Sequence, residues 1–327
     1  MKSVISLFSG AGGLDLGFEL SGYFDIRLSV ESHPTYSKTI GLNRGLNIDG
    51  KNIFSDNEVV DKNVEDLIES GFFSKFIGID GVIGGPPCQP FSTIGKRGGL
   101  LDERSRSVFD FFAVIRIVRP RFFLFENVPN IAMQWNGAIV DQILKIISEI
   151  GGYQVKHKII DMSDLGAATK RRRFLLFGFT SDVNPDEVFI THPEKKKTVG
   201  DVFKNLPPTE ATREAFPTDH VEINHTPEVA KRFSNLRQGE QCKIRKRWRL
   251  DLSQPSNSLM AGGNGGYVLH IHPTENRELT LREAASIQGF PLDYLFAGKK
   301  LDVAKQIVNA VPVEAALTIA TQIGRGL

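Results

Sequence analysis

Cysteine is scarce in this chain: its 327 residues include only two, Cys88 and Cys242. A disulfide framework needs an even set of several cysteines, and a structural zinc site needs clustered Cys or His ligands at fixed spacing. The sequence therefore predicts neither a disulfide-stapled domain nor a bound metal. We expect any chemical role of a cysteine in this protein to be that of a single thiol.

Long apolar runs are also missing from the sequence. No stretch approaches the roughly 20 residues that a membrane-spanning helix needs, and the first residues show no basic segment followed by an apolar core and a cleavage site. Hydrophobic residues make up 41% of the chain and charged residues 24%, which predicts a packed globular core. We expect a cytoplasmic, monomeric protein without a membrane partner.

Net charge is small, at +2, but it is unevenly distributed. Residues 1–150 contain 15 basic and 18 acidic residues, and residues 151–327 contain 25 and 20, so the two parts carry −3 and +5. The second part has three basic runs, at residues 170–173, 195–197 and 243–249. A single run is usually a solvated surface, but three of them, one surrounding Trp248, favour a polyanionic partner such as nucleic acid.

The first 180 residues alternate short apolar runs with amphipathic stretches. The apolar runs predict strands at residues 4–9, 26–30, 81–84, 122–125, 155–160 and 174–179, and two amphipathic stretches predict helices at 108–118 and 138–150. This alternation predicts an α/β fold, a doubly wound layer with a parallel sheet covered by helices on both faces.

The alternation stops after about residue 185. Residues 183–277 are rich in Pro, Asn, Thr and charge, which predicts short strands and loops, and helical patterns return at 279–291 and 302–324. We therefore predict a Rossmann-like domain from residues 1–185 and 278–327, with a smaller irregular domain inserted at 186–277. The apolar helix predicted at 302–324 should pack against the first domain.

A glycine-rich turn, "FSGAGGLDLGF" at residues 8–18, follows the first predicted strand. Such a turn lets a ligand approach the backbone and the free N–H groups of the next helix. The dinucleotide fingerprint needs a third glycine where Asp15 stands, so a nicotinamide dehydrogenase is disfavoured and a nucleoside cofactor without phosphates fits better. Glu31, at the end of the second predicted strand, either accepts hydrogen bonds from ribose hydroxyls or starts a helix.

The stretch "GGPPCQPFS", residues 84–92, places Cys88 just beyond a predicted buried strand. Free cysteine is most often a small buried hydrophobe. Here Pro86, Pro87 and Pro90 fix the backbone on both sides of the thiol, at the sheet edge where open α/β folds bind ligands. A thiolate held in this way is a strong nucleophile.

Two further groups are expected at the same edge of the sheet. In "FFLFENV", Glu126 follows four apolar residues and is a candidate proton donor, while Asn127 is a candidate cap or donor. In "ATKRRRF", Arg171 and Arg173 alternate into a strand and so point to one side, where a permanent cation suits an anion or a carbonyl oxygen.

Together these motifs resemble the DNA (cytosine-5) methyltransferases of bacterial restriction–modification systems. "FSGAGG", "GGPPCQPFS", "ENV", "RELTLREAASIQGFP" and "NAVP" occur in that family's order across nearly the whole chain. The resemblance implies S-adenosyl-L-methionine as cofactor, double-stranded DNA as substrate, a base flipped out of the helix, and a cognate restriction endonuclease that acts on the same site without direct binding.

The resemblance also implies roles for particular residues. Cys88 would be the nucleophile, Glu126 would hold N3 of the cytosine, Arg173 its O2 side, and Arg171 would support the site. The implied cofactor residues are Phe8, Ser9, Gly10, Gly12, Glu31, Pro87, Asn309 and Ala310. The implied DNA contacts of the insert are Lys243, Arg245, Arg247, Arg249, Gly262, Gly263 and Asn264.

Three positions depart from the family pattern: Thr169 replaces a glutamine, Val308 replaces a glycine and would strain the backbone if that position has a positive φ, and Asn63 stands at the expected place of an aspartate that binds adenine. Two alternatives remain open at this point. One is a tRNA cytosine-5 methyltransferase, and the other is a non-catalytic, site-specific DNA-binding relative. The sequence does not identify the recognition site.

Overall fold

A seven-stranded sheet forms from the first 180 residues. The computed structural model describes residues 1–87, 106–133, 137–183, 195–207, 220–222, 225–244, 246–262 and 267–327. The strands are β1 (Lys2–Leu7), β2 (Phe24–Val30), β3 (Asn47–Ile48), β4 (Lys51–Asn52), β5 (Glu58–Val60), β6 (Gly81–Gly84), β7 (Phe122–Asn127), β8 (Tyr153–Asp161) and β9 (Arg172–Thr180). The order in the large sheet is β5-β2-β1-β6-β7-β9-β8, while β3 and β4 form a separate hairpin.

The six predicted strands are confirmed to within two residues at each end. Two details were not predicted. The short strand β5 pairs with β2 at one edge, and β9 runs antiparallel to both of its neighbours, whereas the other pairings are parallel. The sheet is therefore mixed rather than purely parallel.

Helices cover both faces of the large sheet. Along the described residues, the α-helices are α1 (Gly13–Leu20), α2 (Pro34–Leu42), α3 (Val64–Glu69), α4 (Arg106–Val118), α5 (Ala138–Ile150), α6 (Val199–Phe203), α7 (Pro227–Ser234), α8 (Leu281–Ile287), α9 (Lys300–Asn309) and α10 (Val313–Gly326). Successive residues of a strand point to opposite faces. Val4 accordingly belongs to a buried cluster with residues of α1 and α10, and Ile5 to a second cluster with residues of α4 and α5. The predicted doubly wound layer is confirmed.

The prediction of one helix at 302–324 is wrong, because the segment forms α9 and α10 with a break between them. Pro312 stands at the break, where it lacks a backbone N–H and disfavours helical geometry in the residue before it. By length and composition alone, the stretch Lys300–Gly326 could cross a membrane, but 67% of its apolar window is buried inside the protein. Its apolar residues belong to the core.

A second, smaller sheet lies in the C-terminal half. Its strands are β10 (Gln241–Cys242), β11 (Arg247–Arg249), β12 (Ala261–Gly262), β13 (Tyr267–Ile271) and β14 (Glu278–Leu279). The predicted boundary at residue 277 falls inside this sheet, because β14 pairs with β13. Leu250, Leu259 and Val268 share a hydrophobic cluster with Val4, so the small sheet is joined to the core of the large one.

Candidate active site

The glycine-rich turn connects β1 to α1 in a compact left-handed geometry. Phe8 has φ +56°, Gly10 φ +58° and Gly12 φ +78°. Only glycine adopts such values without cost, so Phe8 is a strained residue of the kind found at ligand sites. Gly13 is needed for another reason, since a Cβ there would come within 2.5 Å of the Val311 carbonyl oxygen.

Glu31 is bonded directly to this turn. Its Oε2 accepts a hydrogen bond from the Gly10 N–H at 2.8 Å, and its Oε1 accepts one from the His33 N–H at 2.9 Å. Burial raises the pKa of Glu31, and the two backbone hydrogen bonds lower it in part. The alternative that Glu31 starts a helix is wrong, because His33 caps α2. Contact with a ribose stays a prediction.

A cleft opens at the carboxyl edge of the large sheet, beside this turn. Its empty volume is about 580 Å³, part of it open to solvent. The lining residues are Ser6, Leu7, Phe8, Ser9, Gly10, Ala11, Gly13, Leu14, Asp15, Tyr36, Gly84, Gly85, Glu126, Gln306, Asn309, Ala310 and Val311. The cleft thus brings together five predicted cofactor residues and Glu126.

The predicted cofactor residues Gly12, Glu31 and Pro87 are not among the lining residues. Gly12 caps α1, and a Cβ there would lie 3.0 Å from the Tyr294 hydroxyl. Sequence reasoning missed Tyr36 and Gln306, which lie on helices whose inward face only the packing defines. Asp15 was considered only as a missing glycine.

Glu126 forms an ion pair with Arg173 at the end of β7. The Arg173 Nε atom lies 2.7 Å from Glu126 Oε1, and the two side chains are 13% and 12% exposed. Gly85 packs so closely that a Cβ there would lie 2.6 Å from Glu126 Oε2. The pair therefore borders the β6 end of the loop that leads to Cys88.

Asn127 connects the same strand end to that loop. Its Nδ2 donates a hydrogen bond to the Pro86 carbonyl at 3.0 Å, and its Oδ1 accepts one from the Val128 N–H at 2.9 Å. Pro86 is buried and Pro87 is exposed. Cys88 itself lies outside the described residues, as do Arg245, Gly263 and Asn264.

Arg171, two residues before Arg173, forms its hydrogen bonds with a different part of the site. It is buried, and it donates hydrogen bonds to the carbonyls of Val308 at 2.7 Å and Asn309 at 2.9 Å. Burial, together with the charge of Arg173, lowers the pKa of Arg171 to about 9, so it remains a cation near neutrality. Arg171 therefore holds the C-terminal end of α9, which forms one wall of the cleft.

The three departures from the family pattern have structural explanations. Thr169 is buried and forms a bridge with Ser256, and its hydroxyl donates to the Asn257 carbonyl at 3.4 Å. Val308 lies inside α9 and has no positive φ, so the strain predicted there is absent.

Asn63 precedes α3, is exposed, and is not among the residues that line the cleft. Asp61, directly after β5, is close enough for its charge to raise the pKa of Glu31. Like Asn63, however, Asp61 is exposed and is not among the residues that line the cleft.

The predicted DNA contacts of the small sheet divide into two groups. Arg249 is buried, and it donates to the carbonyls of Phe233 at 2.7 Å, Glu275 at 2.9 Å and His272 at 3.0 Å. A role of Arg249 in binding phosphate is therefore wrong, because the side chain is buried and both of its terminal nitrogens donate to the protein. Arg247 forms an ion pair with Glu278 under the sheet and is 11% exposed.

Lys243 remains available for a contact with DNA, since it is exposed in the turn between β10 and β11. Gly262 ends β12 and is partly buried. Because β11 runs parallel to β13, the first residues of both strands lie toward the same end of the small sheet, where Gly262 pairs with Tyr267. Lys243 and Gly262 therefore lie toward one end of this sheet.

The cleft suits the S-adenosylmethionine expected from the resemblance. Gly10 has open space around the position of an added Cβ, so a ligand can approach its backbone. Phe8 offers a ring for an adenine, and Glu31 offers a carboxylate at the adjacent strand end. Among the residues that the structure describes, no group of His, Cys, Asp or Glu could hold a metal ion.

Known proteins are similar to this chain in sequence and in fold. Residues 2–325 match the family of C-5 cytosine-specific DNA methylases. The Type II methyltransferase M1.HphI of Haemophilus parahaemolyticus is 32% identical over 97% of this chain and 85% of its own length. M.FnuDI of Fusobacterium nucleatum is 32% identical over 98% of this chain and 93% of its own length.

Solved structures agree with the sequence matches. A prophage-encoded E. coli protein described as a DNA modification methyltransferase superposes with a TM-score of 0.80 at 28% identity, covering 100% of this chain and 99% of its own. The Dnmt2 methyltransferase of S. pombe shares the fold, with a TM-score of 0.63 at 15% identity over 97% of this chain and 96% of its own. This chain therefore belongs to the C-5 cytosine-specific DNA methylase family and is a DNA (cytosine-5) methyltransferase.

Proposed function

We propose that this enzyme methylates C5 of a cytosine flipped out of duplex DNA, through a covalent bond between Cys88 and C6 of the base. Family and fold imply S-adenosylmethionine as methyl donor and DNA as substrate. One observation carries the proposal. The Glu126–Arg173 pair stands at the strand end where Asn127 holds Pro86, two residues before Cys88.

The proposed chemistry overcomes the weak nucleophilicity of C5. The Cys88 thiol loses its proton, and its sulfur bonds to C6, so that electron density of the C5–C6 double bond becomes available at C5. Glu126 holds a proton at N3 and Arg173 binds O2, which stabilises the charge that accumulates in the ring. S-adenosylmethionine supplies the methyl group. Loss of the C5 proton to solvent restores the double bond and expels Cys88 as a thiolate.

The target base has to leave the duplex because its reacting atoms are otherwise inaccessible. Neither C5 nor C6 can be reached by a side chain while the base is stacked and paired, and methyltransferases are among the enzymes that extrude their target base. We propose that the turns before β11 and β13 contact the DNA, with Lys243 on a phosphate. The chain would thus protect host DNA from a restriction endonuclease that cuts the same site.

Transfer of tritium from labelled S-adenosylmethionine to duplex DNA tests the activity. We expect incorporation with the wild type and at least about a thousandfold less with Cys88→Ser, since the thiolate is the nucleophile. Bisulfite sequencing of DNA from expressing cells identifies the methylated site. Methylation retained by Cys88→Ser excludes the proposed nucleophile.

A duplex with 5-fluorocytosine at the target position tests the covalent bond. Fluorine cannot leave C5 as a proton does, so the wild type should remain attached to the DNA in detergent and Cys88→Ser should not. A tRNA transcript serves as the competing substrate. Equal transfer to tRNA would overturn the DNA specificity, and tight site-specific DNA binding without turnover would favour a non-catalytic relative.

A further inference from the structure

A buried carboxylate, Asp15, lies in the first turn of α1 and borders the cofactor cleft. It is 0% exposed, yet it is among the residues that line the cleft. Ser6 Oγ donates a hydrogen bond to Asp15 Oδ1 at 2.6 Å, and Ser29 Oγ donates one to Oδ2 at 2.8 Å. The chemistry proposed for Cys88 does not use this group.

The hydrogen bonds around Asp15 all run in one direction. Ser9 Oγ donates to Ser6, to the hydroxyl at 3.0 Å or to the carbonyl at 3.3 Å, and Asn57 Nδ2 donates to Ser29 Oγ at 3.0 Å. An ionised carboxylate only accepts hydrogen bonds, so each hydroxyl along the two paths must donate toward it. The oxygen of Ser9 is therefore left as an acceptor on the cleft wall.

Asp15 also lacks a compensating cation. Within the described part of the chain its partners are the hydroxyls of Ser6, Ser9 and Ser29 and its own backbone N–H, and none of the salt bridges involves it. Burial raises the pKa of Asp15 to about 6, although the serine hydrogen bonds lower it in part, so the group is mostly ionised at neutral pH. A buried anion without a paired cation is costly. A cationic ligand in the adjacent cleft would reduce that cost.

We propose that Asp15 orients the Ser6–Ser9 wall so that Ser9 Oγ accepts a hydrogen bond from the α-ammonium group of S-adenosylmethionine. Asp15 is a positioning residue, because it acts through Ser6 and Ser9 and also supplies the negative charge that the cation complements. The inference rests on the proposed cofactor and specifies which part of that cofactor the Ser6–Ser9 wall recognises.

Calorimetric titration of Asp15→Asn with three ligands tests the inference. S-adenosylmethionine carries a sulfonium and an amino-acid group with its ammonium and carboxylate, S-adenosylhomocysteine carries the amino-acid group without the sulfonium, and 5′-methylthioadenosine is neutral and carries neither. We expect Asp15→Asn to weaken binding of the first two about tenfold, since charged hydrogen bonds are the stronger ones, and to change binding of 5′-methylthioadenosine less than about twofold.

Ser29→Thr is the matched control, because it changes a neighbour of Asp15 but keeps the hydroxyl donor, the charge and the Ser6–Ser9 direction. The ratio of its affinity for S-adenosylmethionine to its affinity for 5′-methylthioadenosine should stay within about twofold of the wild-type ratio. Ser9→Ala removes the acceptor itself and should reproduce the selective loss, even if Asp15→Asn does not fold. Both substitutions are small and leave the network otherwise intact.

Parallel weakening of all three ligands in Asp15→Asn would show a purely structural role and overturn the inference, as would unchanged binding of all three. An unaffected S-adenosylhomocysteine would overturn the assignment to the ammonium group. Failure of the wild type to bind S-adenosylmethionine would instead overturn the proposed cofactor. None of these readouts depends on Cys88 or on DNA.

Discussion

Each of the two sheets buries an arginine from a basic run, Arg171 beside the large sheet and Arg249 in the small one. Both donate to main-chain carbonyls. Arg171 holds Val308 and Asn309 next to the cofactor cleft, whereas Arg249 holds the loop after β13 and the end of α7, away from the residues that line that cleft. The same interaction therefore positions a ligand wall in one region and stabilises a scaffold in the other.

Because of this difference, we expect mutations in the two sheets to have different consequences. In the large sheet, a change at a buried ionisable group should affect cofactor binding or turnover while the fold persists. In the small sheet, a change at an equally buried group should affect the free energy of unfolding first, and DNA binding only as a result. Measuring both quantities on one set of variants tests the distinction.

Glu126→Gln should have the largest effect on the cleft side of the comparison. An amide cannot keep the charge pairing with Arg173 or exchange a proton with N3, so we expect turnover to fall about 10²–10⁴-fold. The affinity for S-adenosylmethionine, measured by calorimetry, should change less than about twofold. A turnover within tenfold of wild type contradicts the role of Glu126.

Arg249→Met should have the largest effect in the small sheet. The substitution leaves several buried carbonyls without a donor, so we expect the free energy of unfolding in urea to fall by about 3 kcal/mol. Lys243→Met is the matched control, and as an exposed substitution it should stay within about 0.5 kcal/mol of wild type. If both variants lose stability equally, the buried Arg249 does not stabilise the small sheet more than the exposed Lys243 does.

His270, in β13, should make the stability of the small sheet depend on pH. It is 0% exposed, neither ring nitrogen has a partner among the described residues, and burial lowers its pKa from 6.5 to about 4. Below pH 6.5 the unfolded chain binds a proton that the folded chain does not. Stability should therefore fall as pH falls through this window, by about 2 kcal/mol at pH 5.

The measurement for His270 is urea unfolding of wild type and His270→Leu at pH 7.5 and pH 5. Other groups titrate in both proteins, so only the difference between the two pH dependences reports on this side chain. We expect the variant to lose about 2 kcal/mol less than wild type over the interval. Identical pH dependences would argue that His270 is protonated in the fold.

Arg171→Lys should selectively weaken binding of the cofactor. A lysine can reach one of the two carbonyls but cannot fork to both, so we expect the dissociation constant for S-adenosylmethionine to rise about tenfold, equivalent to about 1.4 kcal/mol. Arg173→Lys provides the comparison, because it should lower turnover and leave that dissociation constant within about twofold. The opposite pattern would reassign the two arginines.

Lys243→Ala should have the smallest effect. Loss of one phosphate contact should reduce the slope of log affinity for DNA against log salt by about 1, uniformly across DNA sequences. The assay is fluorescence anisotropy with a labelled duplex at several salt concentrations. An unchanged slope removes Lys243 from the DNA interface.

Much of the large sheet could be predicted because its strands are continuous apolar runs, such as Phe122 to Phe125, that become buried on both faces. The carboxyl ends of parallel strands meet at one edge, which correctly brought Glu126 and the glycine-rich turn together. The antiparallel direction of β9 could not be predicted, because a buried strand has the same pattern in either direction.

The small sheet shows where sequence reasoning fails. Its strands are two to five residues long, too short for a period to reveal which side chains point inward. Lys243 and Arg249 therefore looked alike as basic residues, although one is exposed and the other is buried among carbonyls. In the same way, Val308 suggested strain because the sequence did not show that α9 continues through it.

The contact between α1 and α10 has a consequence for synthesis. Gly17 lies against Ala316 so closely that an added Cβ would overlap it, and Val311 lies against Gly13. One wall of the cleft thus comes from the β1–α1 turn and another from Gln306, Asn309, Ala310 and Val311, far along the chain. A growing chain can assemble most of the large sheet before it acquires a complete cofactor pocket, so methylation has to wait until the segment around Val311 has emerged from the ribosome.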